Sequence, residues 1–149
     1  MKDYRLHQRL GYRVSRLSHL LQSSLEAILA KHALTRLMWC VLIGVGEEGV
    51  TTPSELAHYV GVTRPAISRL LRELQKKGLL ARVSGQGADG RSVEVELTNA
   101  GRAVIQSLRP LVDEHHAYFA GKLEASEYQA LMLALQRLLD GERQALDHF

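Results

Sequence analysis

One cysteine, Cys40, stands in a chain of 149 residues, so neither an intrachain disulfide nor a cysteine-rich zinc site can form. Aromatic side chains are scarce and leucine is abundant, which shifts the expectation towards helix. No apolar run approaches the roughly 20 residues of a membrane span; the longest, Leu37 to Gly46, suits a buried helix. The opening Met1-Lys2-Asp3-Tyr4-Arg5 leads into no apolar segment of the signal-peptide kind. The chain is therefore expected to be cytoplasmic, with no membrane partner. It has no glycine-rich phosphate loop between strand and helix, no nucleophile elbow and no zinc-protease signature, so neither an enzyme nor a cofactor is expected. Seven histidines raise the question of a metal. His115 and His116 are adjacent and point to different helix faces, and no His-x-x-x-His pair exists, so no metal site is expected.

What charge there is lies unevenly. Between Thr63 and Ser92 the positives are Arg64, Arg69, Arg72, Lys76, Lys77, Arg82 and Arg91, against Glu73 and Asp89. That window carries +5, and the rest of the chain −2, within a total of +3. A basic centre in a mildly acidic frame fits a module that meets phosphate. A solvated charged face fits the same balance, and charge alone does not choose between them.

The hydrophobic pattern supplies the frame. Leu6, Leu10, Val14, Leu17, Leu21, Leu25 and Ile28 recur at steps of three and four, one apolar stripe on a long helix from about Tyr4 to Lys31. Leu34-Thr35 opens a second helix, whose end Gly44 and Gly46 are expected to loosen. Thr52-Pro53-Ser54-Glu55 reads as a capping box with proline where its missing N–H costs nothing. Leu56, Ala57 and Val60 face inward on that short helix, and Gly61 suits a left-handed cap. Thr63 then caps a further helix, Arg64 to about Lys77, with Ile67, Leu70, Leu71 and Leu74 buried. Two short helices joined by a tight glycine turn form a helix-turn-helix.

Beyond Gly78 the period changes to two. Leu80-Ala81-Arg82-Val83 and Val93-Glu94-Val95-Glu96-Leu97 alternate as half-buried strands do, with a glycine-rich loop between them. This is a β-hairpin wing. Thr98-Asn99-Ala100-Gly101 returns the chain to a helix running to about Gly121, and a last helix is expected from about Glu124 to His148. The fold class is mainly α with a small β-hairpin wing. Residues 34–98 form a winged helix-turn-helix lobe, and residues 1–33 with 99–149 a helical dimerisation region. The terminal helices carry stripes too long for one lobe to cover, which calls for a partner chain.

A B-DNA major groove accepts one helix and meets its N-terminal residues. Here those are Thr63, Arg64, Pro65, Ser68 and Arg69, with Arg72, Lys76 and Lys77 further along. Arginine can bond guanine in two places, Ser and Thr can serve bases or phosphates, and Pro65 or Ala66 can lie against a thymine methyl. At the hairpin tip Arg91 is placed to enter a narrow minor groove. Asp89, which would repel phosphate, is placed to fix an arginine by a charge-assisted bond. A solvent-exposed Asp89–Arg91 pair of little consequence is the plainer explanation of the same spacing.

Gly78-Leu79-Leu80-Ala81-Arg82, Asp89-Gly90-Arg91 and Val95-Glu96-Leu97-Thr98-Asn99-Ala100-Gly101 resemble the multiple-antibiotic-resistance regulator (MarR) family. Leu34 to Leu42 resembles that family's second helix, with Met38 where a glutamine is common. The resemblance covers about Leu6 to Leu139. It implies a homodimer whose first, fifth and sixth helices interlock above two DNA-reading lobes, and double-stranded DNA with an inverted repeat as partner. It also implies a repressor released by a small aromatic or carboxylate effector bound between the layers. Candidates for that site are Tyr12, Arg16, His19, Trp39, Cys40, His115 and Tyr118. Each has a plainer role open to it: Trp39 as core, His115 as an interface histidine, Arg16 as a surface residue. The competing function is a winged-helix protein-interaction module whose basic face binds an acidic protein partner.

Overall fold

The computed structural model describes residues 3–84 and 93–142. In chain order it has helix α1 (Leu10–Leu29), α2 (Arg36–Gly46), α3 (Pro53–Val60), α4 (Arg64–Lys76), strands β1 (Leu80–Ser84) and β2 (Val93–Leu97), α5 (Asn99–Ala120) and α6 (Ala125–Leu139). The two strands pair antiparallel, with Leu80 opposite Leu97 and Arg82 opposite Val95. This is the helix-turn-helix and wing that the change of period from 3.6 to 2 calls for.

Most helix starts rest on a threonine. Thr35 Oγ1 accepts from the Met38 amide, Thr52 Oγ1 from Glu55, Thr63 Oγ1 from Ala66 and Thr98 Oγ1 from Gly101. Each satisfies an amide that the first turn leaves without an intrahelical partner. α6 is held instead by a capping box between Glu124 and Glu127. Gly61, at φ 83°, ends α3 in the left-handed region and turns the chain into α4 within three residues; a side chain there would strain the turn.

The core lies in the lobe. Leu42, Leu56, Ile67, Leu71, Leu74 and Val95 are buried together with Trp39 and Leu80. Leu29 from the end of α1 and Ile105 and Leu108 from the first half of α5 join the same core, so the lobe and these helix ends pack as one body. The amide of Val95 bonds the Thr51 carbonyl at 2.9 Å, tying the wing to the approach of α3.

Four details depart from the expectations above. The first helix does not begin at Tyr4: a single 3-10 turn at Leu6–Gln8 is broken at Arg9, which is extended, before α1 starts. Gly11 weakens that first turn, and Arg13 Nε bonds the His7 carbonyl instead of leaving it to a helix. At its other end α1 gives way to a 3-10 turn, Ala30–His32, closed by a left-handed Ala33. The last helix stops at Leu139, because Asp140 is extended and Gly141 sits at φ 81°; positions 143–149, with Leu146 and His148, lie outside the described residues. Gly44 and Gly46 do not loosen α2. A Cβ on Gly44 would meet the Tyr59 ring at 2.9 Å, and one on Gly46 would meet Leu97 Cδ1 at 2.5 Å, so both glycines let α3 and β2 pack close.

Candidate nucleic-acid interface

At 3.6 residues per turn, Arg64, Pro65, Ser68, Arg69, Arg72 and Lys76 fall on one half of α4. Ala66, Ile67, Leu71 and Leu74 occupy the opposite half and are buried. The division follows from sequence: the apolar residues bind α4 to α2 and α3, and whatever remains must face out. Arg64, Pro65, Arg69, Arg72, Lys76 and Lys77 are exposed, while Thr63 and Ser68 are half-buried. Ala66 is buried in the lobe, which removes it as a contact for a thymine methyl. It faces the core because it stands one position before Ile67 on the inward arc.

Among the described residues, none of Arg64, Arg69, Arg72, Lys76 and Lys77 is in an ion pair. Arg64 makes a different contact: its Nη1 donates to Ser54 Oγ at 2.7 Å, across the turn between α3 and α4. Sequence reasoning missed Ser54. Nothing in the local pattern pairs positions ten apart across a turn; only the left-handed Gly61 brings the start of α3 beside the start of α4. The strands of the wing leave α4 directly and expose Arg82. Asp89 and Arg91, at the expected tip, lie outside the described residues.

The residues named for an effector are spread over three helices. Arg16 lies over the Tyr12 ring at 5.8 Å on α1, and His7 meets the same ring edge-on. His19 is exposed on the same helix, and Trp39 is buried in the lobe core. His115 of α5 has its Nε2 at 2.7 Å from Ser24 Oγ of α1 and stacks at a tilt on Phe119. One cleft in the described surface is lined by Gly49, Val50, Ser54, Glu55, His58 and Tyr59, and another by residues of α2, β2 and α5, including Arg102 and Gln106, together with Glu47 and Thr51 between α2 and α3. None of the effector candidates lines either of these clefts. Cys40 is half-buried, and burial pushes its thiol pKa up against the opposing pull of Arg36. Burial also raises the Tyr59 hydroxyl, aided by its bond to Glu48 at 3.1 Å.

A second surface is apolar. No residue of α6 is buried, and Leu133 and Leu139 are 67% and 65% exposed. Leu131, Leu135 and Leu138 of α6, Leu10, Val14 and Leu17 of α1 and Leu111 of α5 are exposed too. Among the described residues, no single helix is long and apolar enough to cross a membrane.

Comparison with known proteins agrees with this architecture. The MarR family model matches residues 34–92, the helix-turn-helix and the wing. The HTH-type transcriptional repressor Rv2887 of Mycobacterium tuberculosis is 28% identical over 129 residues, 87% of this chain and 92% of that protein. A cysteine-to-serine mutant of Escherichia coli MarR, solved in complex with operator DNA, is 27% identical with a TM-score of 0.78, over 87% of this chain and 93% of that one. Bordetella bronchiseptica BpsR, whose DNA binding is regulated by 6-hydroxynicotinic acid, shares the fold at 21% identity and a TM-score of 0.83, over 94% and 99% of the two chains.

Proposed function

We propose that this chain, whose residues 34–92 match the MarR family model, is a MarR-family transcriptional repressor that binds an inverted-repeat operator as a homodimer, in the cytoplasm where the chromosome lies. Its relatives are regulators, and its work is binding, not turnover. One observation carries the reading: α4 turns Arg64, Pro65, Ser68, Arg69 and Arg72 outward together, its arginines free of carboxylate partners among the described residues. Such a helix fits the major groove, with its first residues towards base edges and Arg72 and Lys76 towards phosphate. Arg91, with Asp89 to orient it, is assigned the minor groove beside it. Thr63 serves first as the cap of α4.

Dimerisation is supported by the bare leucines of α1, α5 and α6, which are too many for a stable monomer to leave in water. Residues 1–33 and 99–149 are read as the dimer layer and 34–98 as the DNA lobe. The core shared by Leu29, Ile105, Leu108 and the lobe would carry movement between them. A small aromatic or carboxylate effector at Tyr12, Arg16, His19, Trp39 and His115 would act by binding one spacing of the two lobes better than the other.

The test is selection of duplexes from a random-sequence pool by the full chain. The recovered DNA should be palindromic, with half-sites about one helical turn apart. Recovery of no common sequence would overturn the repressor reading.

A further inference from the structure

Resting on that DNA-reading role, we propose that Ser54 is a positioning residue for Arg64: it orients the arginine at the start of the recognition helix before DNA arrives and so sets discrimination at the base Arg64 reads. The observation is the 2.7 Å hydrogen bond from Arg64 Nη1 to Ser54 Oγ. Ser54 is the second residue of α3 and Arg64 the first of α4, and both side chains face solvent.

The platform under the bond is rigid. Thr52 caps α3 and Thr63 caps α4. Val62 between the helices is buried, as are Leu56, Ala57, Ala66 and Ile67 beneath their first turns. The hydroxyl therefore projects from a fixed helix, and its distance from the Arg64 backbone is set by the core.

The chemistry suits orientation without loss of charge. A carboxylate at position 54 would hold the arginine more tightly, but it would cancel the charge that attracts phosphate and repel the backbone itself. A hydroxyl accepts one N–H and leaves the guanidinium cationic, with its remaining donors in their planar fork for a base edge. Arginine is rich in rotamers, and ordering such a chain only on binding weakens the complex. Among the described residues, Arg69 and Arg72 of the same face have no hydrogen-bond partner of this kind, so Arg64 alone among them is ordered in advance.

Binding of wild type, Ser54→Ala, Ser54→Thr, Arg64→Ala and the double variant Ser54→Ala/Arg64→Ala should be measured on two duplexes. One is a duplex selected by wild type from the random pool; the other is an unselected duplex of the same length. Ser54→Ala should bind the selected duplex about 3- to 10-fold more weakly and the unselected one as wild type does, with an unchanged salt slope because no charge is lost. Ser54→Thr, which keeps the hydroxyl, should restore binding, and Ser54→Ala should add nothing once Arg64 is gone. Thermal unfolding coincident with wild type excludes a folding defect at this exposed position. Equal losses on both duplexes would make Ser54 a direct phosphate contact, and a loss that persists without Arg64 would make it independent; either overturns the inference, as does no loss at all. If wild type selects no sequence, the repressor reading fails first and takes this inference with it.

Discussion

Gly101, in the first turn of α5, lies so close to the carbonyl oxygen of Leu79 that no side chain fits between them. Around this contact the Thr98 hydroxyl donates to the Gly78 carbonyl at 2.6 Å, and the Thr98 amide donates to Leu79 O at 3.1 Å. The chain just past α4 is thereby fastened to the start of α5, with Gly78 and Leu79 on one side and Thr98 and Gly101 on the other. The Leu-Thr-x-x-Gly pattern of the sequence is this junction: Leu97 buried, Thr98 bonding in two directions, Gly101 without a Cβ.

Gly101→Ala should therefore destabilise the fold. The obstructing atom is backbone, so relief requires a shift of α5 or β1, and overpacking of this kind costs about 1–3 kcal/mol. Urea unfolding should show a lower midpoint for Gly101→Ala. Gly11→Ala, where a Cβ meets nothing within 4 Å, should show none of that penalty.

On α4 the outward residues should separate into two classes. Arg69→Ala is expected to cost about 1–3 kcal/mol and relax the preference at one base pair, whereas Lys76→Ala should weaken all duplexes alike and lower the salt slope by about 1. Quantitative binding to single-base variants of a selected site checks both.

How much of this was legible in the chain depends on the range of the interaction. The caps at Thr35, Thr52, Thr63 and Thr98 could be read because an N-cap acts within three residues. The two strands could be read because Val93 and Val95 alternate with Glu94 and Glu96. The outward face of α4 followed from the apolar spacing of Ile67, Leu71 and Leu74. What escaped was tertiary. Ser54 meets Arg64 only across a folded turn, and the roles of Gly44 and Gly46 depend on Tyr59 and Leu97, which the sequence does not place beside them. The helix stop at Asp140-Gly141 was not read, because the leucine spacing continues past it to Leu146.

Cys40 should be a slow thiol. Its burial raises the pKa above the usual value of about 8.5, leaving less thiolate at neutral pH. Alkylation of the native protein at pH 7.5 should be much slower than in denaturant. The sign for stability follows: the folded state holds the proton more tightly, so this contribution is complete below the ordinary thiol range and is lost as pH rises through the raised folded value. Native and denatured labelling at equal rates would contradict this.

The leucine face should hold two chains together. Leu135 is exposed on α6, a helix with no buried residue, so Leu135→Glu leaves the core of its own chain untouched. It should convert a dimer to a folded monomer by sedimentation, with retained helical circular dichroism and much weaker binding to an inverted repeat. A variant that stays dimeric with unaltered DNA affinity would place the interface elsewhere.

The most direct measurement is competition between an inverted repeat from the chain's own upstream region and random duplex, repeated across a salt series. Clear preference for the repeat is expected, with log K falling linearly in log salt at about −0.9 per phosphate neutralised. Equal affinity for the two duplexes at every salt concentration would contradict it.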